Sequence, residues 1–318
     1  MDMDKYDKKL LFELDNNART SYIQLGKKIG LSKDSVKYRI ENYFKTGLLD
    51  GFYPLIDSSK LGFYSFRVYF SFKNALPNDE KEVIDYLIKQ KNVFYLINVD
   101  GWFDVGFGFF AKSILEFQNF LSTFKQKYSC VNIIQEGIFI NLFHFDRNYF
   151  IKTKRIQIPK GILQEPKKVS FDAIDEKILN LLSINARTQI IDLANSLNLT
   201  SKAVIYRIRN LEKKGILLGY KPKINLEKIN YSMYKIDIFL DDRKTKEKIK
   251  KYVMQLPNVI HSEEVFNGSD LEFDIECKSY EEFNEIMYKI KSEHGKNIKQ
   301  IKHYRTTKIH KTNYFPQN

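Results

Sequence analysis

The chain has 318 residues, enough for two to four domains at about 100–200 residues each. Hydrophobic residues make 43% of it and charged residues 29%; its apolar runs fall far short of the roughly 18–20 residues of a membrane span. With two cysteines, Cys130 and Cys277, and a charged start, MDMDKYDKK, this excludes a secreted disulfide scaffold, a membrane protein and a coiled-coil rod. A cytoplasmic protein with reduced thiols is expected. The net charge of +13 asks for an anionic partner, although a Lys-, Ile- and Asn-rich composition supplies part of it without one. The excess gathers in residues 147–168 and 286–318, whereas 225–285 is acidic.

In chain order, Asp7 precedes an apolar stripe of Leu10, Leu11 and Leu14 at helical spacing. A second helix follows over SYIQLGKKIG, residues 21–30. After a break at Gly30-Leu31-Ser32 comes a third, over KDSVKYRIENYFKTG, residues 33–47, with Ser32 as N-cap and Gly47 as terminator. LLDGFYPLID reads as a short hairpin turning at Gly51. Strand and helix then alternate. YSFRVYFSFK, residues 64–73, is a strand of period two, and 79–91 is a helix with Val83, Ile84, Leu87 and Ile88 on one stripe. VFYLINV and WFDVGFGFF are strands around a turn at Asp100-Gly101. Phe117, Phe120, Leu121 and Phe124 mark a second helix, and VNIIQEGIFINLFHF closes the unit. This β-α-β-β-α-β order is ferredoxin-like, with helices on one face and the other face left for a partner sheet.

The whole pattern occurs twice. A shift of 168 places residues 4–56 on 172–224, with about 23 of 53 aligned positions identical. NART at 17–20 falls on NART at 185–188, Ser32 on Thr200, Gly47 on Gly215 and Gly51 on Gly219. The expected class is therefore α+β in two tandem copies. Its parts are a winged helix-turn-helix over 1–56, a ferredoxin-like domain over 57–146, a basic linker over 147–168 marked by Pro159 and Pro166, a second winged helix-turn-helix over 169–224 and a second ferredoxin-like domain over 225–318.

This combination resembles the Lrp/AsnC family of transcription regulators. The resemblance rests on D-x-x-L-L at 7–11, NART, L-x-x-x-I-G-L-S at 25–32, Y-R-I at 38–40, the G-L-L-x-G-F segment at 47–52 and GWFDV at 101–105. It covers nearly the whole chain twice, in an archaeal-like tandem form; typical members are single units that dimerise. It implies a helix-turn-helix regulator whose partner is double-stranded DNA. RAM-type ferredoxin-like domains would pair as an intrachain pseudo-dimer, with a further homo-oligomer compatible.

A winged helix lays its second motif helix in the major groove. On the first such helix Val36, Ile40, Tyr43 and Phe44 share the inner face. Lys33, Ser35, Lys37, Tyr38, Arg39, Asn42 and Lys45 are the candidate DNA contacts. On the second, Val204, Ile208 and Leu211 face inward, and Lys202, Tyr206, Arg207, Arg209, Asn210 and Lys213 are the candidates. Asn pairs with adenine and Arg with guanine, while Lys mostly meets phosphate. Arg39 and Arg207 have another reading, as braces between helices. Copy one carries Asp34 and Glu41 where copy two has Lys202 and Arg209, so copy two is expected to supply most of the non-specific affinity on an imperfectly palindromic operator.

The resemblance also implies a small-molecule effector, such as an amino acid, near the glycine turns. Gly101 and Asp104, and Gly268 and Asp270 in copy two, are the candidate effector residues. Gly101 also reads as a plain hairpin turn. The five histidines show no metal-ligand spacing, and no phosphate loop, nucleophile elbow or zinc-protease motif occurs. No catalytic residue, metal or cofactor is expected, and the chain is expected not to be an enzyme. Two alternatives stand beside this. Sirohaem decarboxylases resemble the same architecture, but their His- and Arg-bearing stretch is not found near 95–105 or 262–272. A non-DNA-binding scaffold with a degenerate motif is the other.

Overall fold

A computed structural model describes residues 3–153, 160–163 and 166–316. Asp4 opens α1 (Lys5–Asn16) with a capping box, accepting from the Tyr6 and Asp7 amides while Asp7 answers to the Asp4 amide. Ser21 caps α2 (Tyr22–Ile29), which ends at Gly30 in the left-handed region. Ser32 caps α3 (Lys33–Lys45) through the Ser35 amide, and Gly47, at φ +71°, turns the chain out of it. Copy two repeats these devices in α6 (Ala173–Ile184), α7 (Ile190–Leu197) and α8 (Ser201–Lys213). There the Asp172–Asp175 box and Thr200 serve as caps, and Asn198 takes the left-handed place of Gly30.

The segments expected as hairpins are single strands. β1 (Leu49–Ile56) pairs antiparallel with its counterpart β7 (Leu217–Ile224), Phe52 lying opposite Pro222. Gly51, at φ +144°, serves a register shift in this pairing instead of a turn. The physical reason is the chain's path. Each segment runs straight into a short 3-10 turn and the next strand, so its edge finds a partner only in the other copy.

Each ferredoxin-like half follows the expected order. Half one contains β2 (Tyr64–Phe72), α4 (Pro77–Lys89), β3 (Val93–Asp100), β4 (Val105–Ala111), α5 (Ile114–Lys127) and β5 (Val131–His144). A short strand β6 (Lys160–Leu163) is added to β5. Half two contains β8 (Ser232–Leu240), α9 (Lys246–Val253), β9 (Val259–Phe266), β10 (Leu271–Cys277), α10 (Tyr280–His294) and β11 (Ile298–Thr312). The linker expected over 147–168 falls partly outside the described residues, Pro159 among them. At its end the chain is tacked to half one by Lys167 and Val169 amides donating to Ser59 and Lys60 carbonyls.

The two sheets join edge to edge. β5 starts against β2 and ends against β9, and β11 starts against β8 and ends against β3. The hydrogen-bonded order β2-β4-β3-β11-β8-β10-β9-β5 then closes back on β2. This is the intrachain pairing that the sequence suggested, in the form of a ring that leaves these strands no open edge. Helices cover the outside. Phe66, Val68, Phe70, Phe107 and Phe109 pack on Val83, Leu87, Phe117, Leu121 and Phe124 in half one; Ile236, Ile238, Phe273 and Ile275 pack on Ile249, Phe283, Met287 and Ile290 in half two.

The helix-turn-helix pair sits on this barrel through two unlike tethers. On one side Asp15 of α1 accepts from Lys221 (2.9 Å) and Arg147 (2.6 Å), and Arg147 also grips Glu276 of β10 (2.8 Å). Burial works against the Asp15 carboxylate, yet Lys221 and Arg147 hold it down at about 2. On the other side the equivalent space is aromatic: Tyr53 lies on Tyr314, and Tyr314 and Phe110 on Phe94.

Candidate nucleic-acid interface

α3 and α8 each bury one stripe and present another. Val36, Ile40 and Tyr43 lie inside in copy one, as do Val204, Ile208 and Leu211 in copy two. Phe44, expected inside, is exposed at its edge and meets Phe52 edge-on. Position 43 shows why the cores differ. The Tyr43 hydroxyl donates to Asp7 (2.7 Å), and burial with the Asp7 charge pushes this phenol up, so it stays a donor. Leu211 fills the equivalent place in copy two by apolar contact alone.

The outward stripes carry most of the expected contacts. Lys33, Lys37 and Lys45 are exposed, with Ser35 and Asn42 half-buried beside them. Lys202, Arg209 and Lys213 are exposed, with Asn210 half-buried. Tyr38 and Tyr206 stand at the centre of each stripe with 71% and 70% of their surface in solvent. An apolar ring held so far out on a capped helix is costly in water and well suited to a flat partner. The charges differ as the sequence implied. Copy one shows Asp34 and Glu41, and Glu41 draws Lys37 toward itself (3.7 Å); copy two shows Lys202 and Arg209 there, and Ile205 in place of Lys37.

Arg39 and Arg207 are placed otherwise. Arg39 donates to Asp7 (2.6 Å) and Asp4 (2.9 Å), and Arg207 to Asp172 (2.8 Å) and Asp175 (2.8 Å). Both guanidiniums are bound to the capping boxes of α1 and α6. These bonds are the bracing that the second reading of Arg39 and Arg207 expects, because each helix start offers two carboxylates within reach.

The glycine turns are structural clamps. At Gly101, φ +155°, a Cβ would lie 2.7 Å from the Tyr304 Cβ; at Gly268 it would lie 2.9 Å from the Val265 carbonyl and press on Glu272. Asp104 accepts from the Phe72 amide (2.7 Å) and Asp270 from the Leu240 amide (2.9 Å). Each candidate effector carboxylate thus already closes the end of the first strand of its half, β2 or β8. Trp102 is exposed, with the Lys302 ammonium 3.8 Å from its ring centre.

Sequence reasoning missed the inside of the barrel. Arg67, Lys235, Asp237, Glu263, Glu272 and Asp274 meet there, all buried. Their signal was present as charges at alternate strand positions, Lys235 and Asp237, then Glu272, Asp274 and Glu276. Such alternation is normally read as a solvated face, and here that face is closed by the other half. Burial opposes the Glu272 charge, but Arg67 and Lys235 hold it at about 2; burial, then the Glu272 charge, push Asp237 up to about 7.

Comparison with known families matches residues 3–43 to the AsnC-type helix-turn-helix domain and residues 171–217 to a winged helix-turn-helix DNA-binding domain. The HTH-type transcriptional regulator LrpA of Pyrococcus abyssi is 43% identical over 65 residues, 20% of this chain and 46% of that protein. The chain thus spans about half the length of this relative. The proline dehydrogenase transcriptional activator of Rhodobacter capsulatus is 28% identical over 123 residues, 36% of this chain and 77% of its own length. Among solved structures, the siroheme decarboxylase NirDL aligns over 98% of this chain and 94% of its own, with a TM-score of 0.62 and 13% identity. At that identity the likeness establishes the shared fold from end to end. It also corrects the expectation that the chain is not an enzyme, since an enzyme carries this whole tandem architecture.

Proposed function

We propose that this chain, whose residues 3–43 match the AsnC-type helix-turn-helix domain and whose residues 171–217 match a winged helix-turn-helix DNA-binding domain, is a sequence-specific DNA-binding transcription regulator that reads one operator with two unlike helices. Residues 1–56 and 169–224 act as the reading units. The observation that carries this is the matched pair of N-capped helices, α3 and α8, each with an exposed tyrosine amid lysines. Lys33, Lys37, Tyr38, Asn42, Lys45, Lys202, Tyr206, Arg209, Asn210 and Lys213 supply the contacts. The cross-paired β1 and β7 hold the two units together, so both half-sites lie on one duplex about one turn, or a multiple of it, apart. Effector control belongs to the same reading. A ligand such as an amino acid at Asp104 or Asp270 would have to displace the bond each carboxylate makes to a strand end.

The test is selection of the purified chain on a random duplex pool, then a salt titration on the enriched sequences. A two-part motif with a steep salt slope is expected. A steep slope with no enrichment would leave only phosphate binding and refute sequence reading.

A second reading, decarboxylation of an iron tetrapyrrole, is favoured by the whole-chain fold match to NirDL. The residues fit it poorly: His144 is buried against His261 and Tyr314, and the turn of half one carries Trp102 and Phe103. Titration with an iron porphyrin, followed by visible absorption, checks it. An unshifted spectrum counts against it.

A further inference from the structure

The two halves place different chemistry at equivalent positions inside the barrel. Arg67 on β2 and Lys235 on β8 are counterparts in the duplication, one cation from each half. The acids are not shared in this way. Where β10 has Glu272 and Asp274, β4 has Gly106 and Gly108; where β9 has Glu263, β3 has Ile97; where β8 has Asp237, β2 has Tyr69. The two glycines are filled by rings, since a Cβ at Gly106 would lie 2.8 Å from Tyr69 and one at Gly108 would strike Phe94 and Tyr95. Half one therefore offers a cation in an aromatic wall. Half two offers a cation and four acids.

The Arg67 bonds run between the halves, whereas Lys235 pairs with acids of its own half. Arg67, 1% exposed, grips Glu272 with both terminal nitrogens and reaches Glu263 at 3.2 Å. Lys235 lies 3.3 Å from the same Glu272 and 3.7 Å from Asp274. An unpaired buried charge is far costlier than a satisfied pair. Two copies of half one would bury two arginines with no carboxylate. Two copies of half two would set two lysines against twice this set of acids.

We propose that the barrel interior makes the two halves exclusive partners: the inner face of half one accepts only a half-two face, and neither half pairs with its own kind. Specificity of this sort comes from what the wrong pairing leaves unpaired. On the helix-turn-helix side β1 with β7, and Arg19 with Arg187, are near-symmetric contacts, while the buried Asp15–Lys221 pair, with Ser183 and Tyr53 at the equivalent positions, adds to the same choice. The assembled unit then always carries one α3 and one α8, whatever else it binds.

The experiment uses the full chain with a protease site inserted between residues 153 and 160. The folded protein is cut, loosened in moderate urea, returned to buffer and weighed by native mass spectrometry. Only one-to-one complexes of unlike halves are expected, with like pairs below about one-twentieth; like pairs near the random share of one quarter each would overturn the proposal. In the intact chain, Arg67→Met and Glu272→Met are each expected to lower Tm by on the order of 10 °C, and the double variant to melt above either single one. Purely additive shifts would show that the two groups do not depend on each other and would equally overturn it.

Discussion

Arg19 and Arg187, the arginines of the two NART repeats, reach across the duplication in mirror fashion. Arg19 donates to the carbonyls of Ala186 (2.6 Å) and Thr188 (3.0 Å), and Arg187 donates to those of Ala18 and Thr20 (3.2 Å). Each guanidinium also lies over a ring at the base of the other copy, Arg19 over Tyr220 and Arg187 over Phe52. The repeated tetrapeptide is thus a docking device that fixes one reading unit against the other. Replacing either arginine by alanine leaves two carbonyls without donors, a loss of about 1–3 kcal/mol. Arg19→Ala should lower the melting temperature and relax the spacing between protected half-sites in a footprint. A variant with a lower Tm and unchanged spacing would place the spacing control elsewhere, in β1 and β7.

The unlike charge of α3 and α8 predicts unequal half-sites. Arg209→Glu with Lys213→Glu should weaken binding several-fold more than Glu41→Arg strengthens it. The same pair should flatten the salt dependence by about one unit of slope for each phosphate that the protein no longer neutralises. Competition assays at two salt concentrations measure both quantities. The prediction fails if reversal in α3 proves the more damaging.

Arg39 and Arg207 should behave as parts of the scaffold. Each hydrogen bond to a charged partner contributes about 1.5–3 kcal/mol when well buried, and these pairs are partly exposed, so the lower end applies. Arg39→Met is expected to lower Tm by a few degrees while the affinity of the folded fraction stays within about twofold. Tyr206→Ala should do the reverse, with Tm nearly unchanged and affinity down. If Arg39→Met instead removes preference at one base pair without a change in Tm, the guanidinium reads DNA.

These contrasts show what a sequence can carry. Ser32, Thr200, Gly30 and the Asp4–Asp7 box act within a few residues of themselves, so their roles follow from local spacing. The duplication made the second copy legible by the first. What stayed hidden depends on distance in the chain. The partner of β1 is β7, well over a hundred residues away, and no feature of LLDGFYPLID distinguishes a hairpin from a strand awaiting that partner. Arg39 finds Asp7 only because α3 folds back on α1. Lys235 and Glu272 look like residues of a solvated face until the other half closes over them.

That enclosure gives the stability an unusual dependence on pH, set by Asp237. This carboxyl faces Lys235, Arg67, Glu263 and Glu272, and lies near the Tyr304 hydroxyl; its pKa stands at about 7 against 3.8 for a free aspartate. A carboxyl with a raised folded pKa favours the fold in its protonated form. Below about 3.8 the group is neutral in both states and contributes no change. Between about 3.8 and 7 the unfolded chain releases the proton that the fold retains, so stability falls as pH rises, and above about 7 the loss is complete. Asp15 and Glu272, both held at about 2, act in the opposite sense, since their stabilisation is lost as pH falls from about 4 toward 2. The Asp237 contribution is therefore greatest below about pH 4 and declines toward 7, while the buried His144, whose pKa burial pushes well below the usual 6.5, works against it, since its stabilisation is lost as pH falls below about 6.5. Asp237→Asn should raise the stability at pH 7 relative to that at pH 5, compared with the parent, while leaving the acid limb in place. Urea midpoints measured from pH 3 to 8 on both proteins decide it, and parallel curves would mean that Asp237 is already ionised in the fold at pH 5.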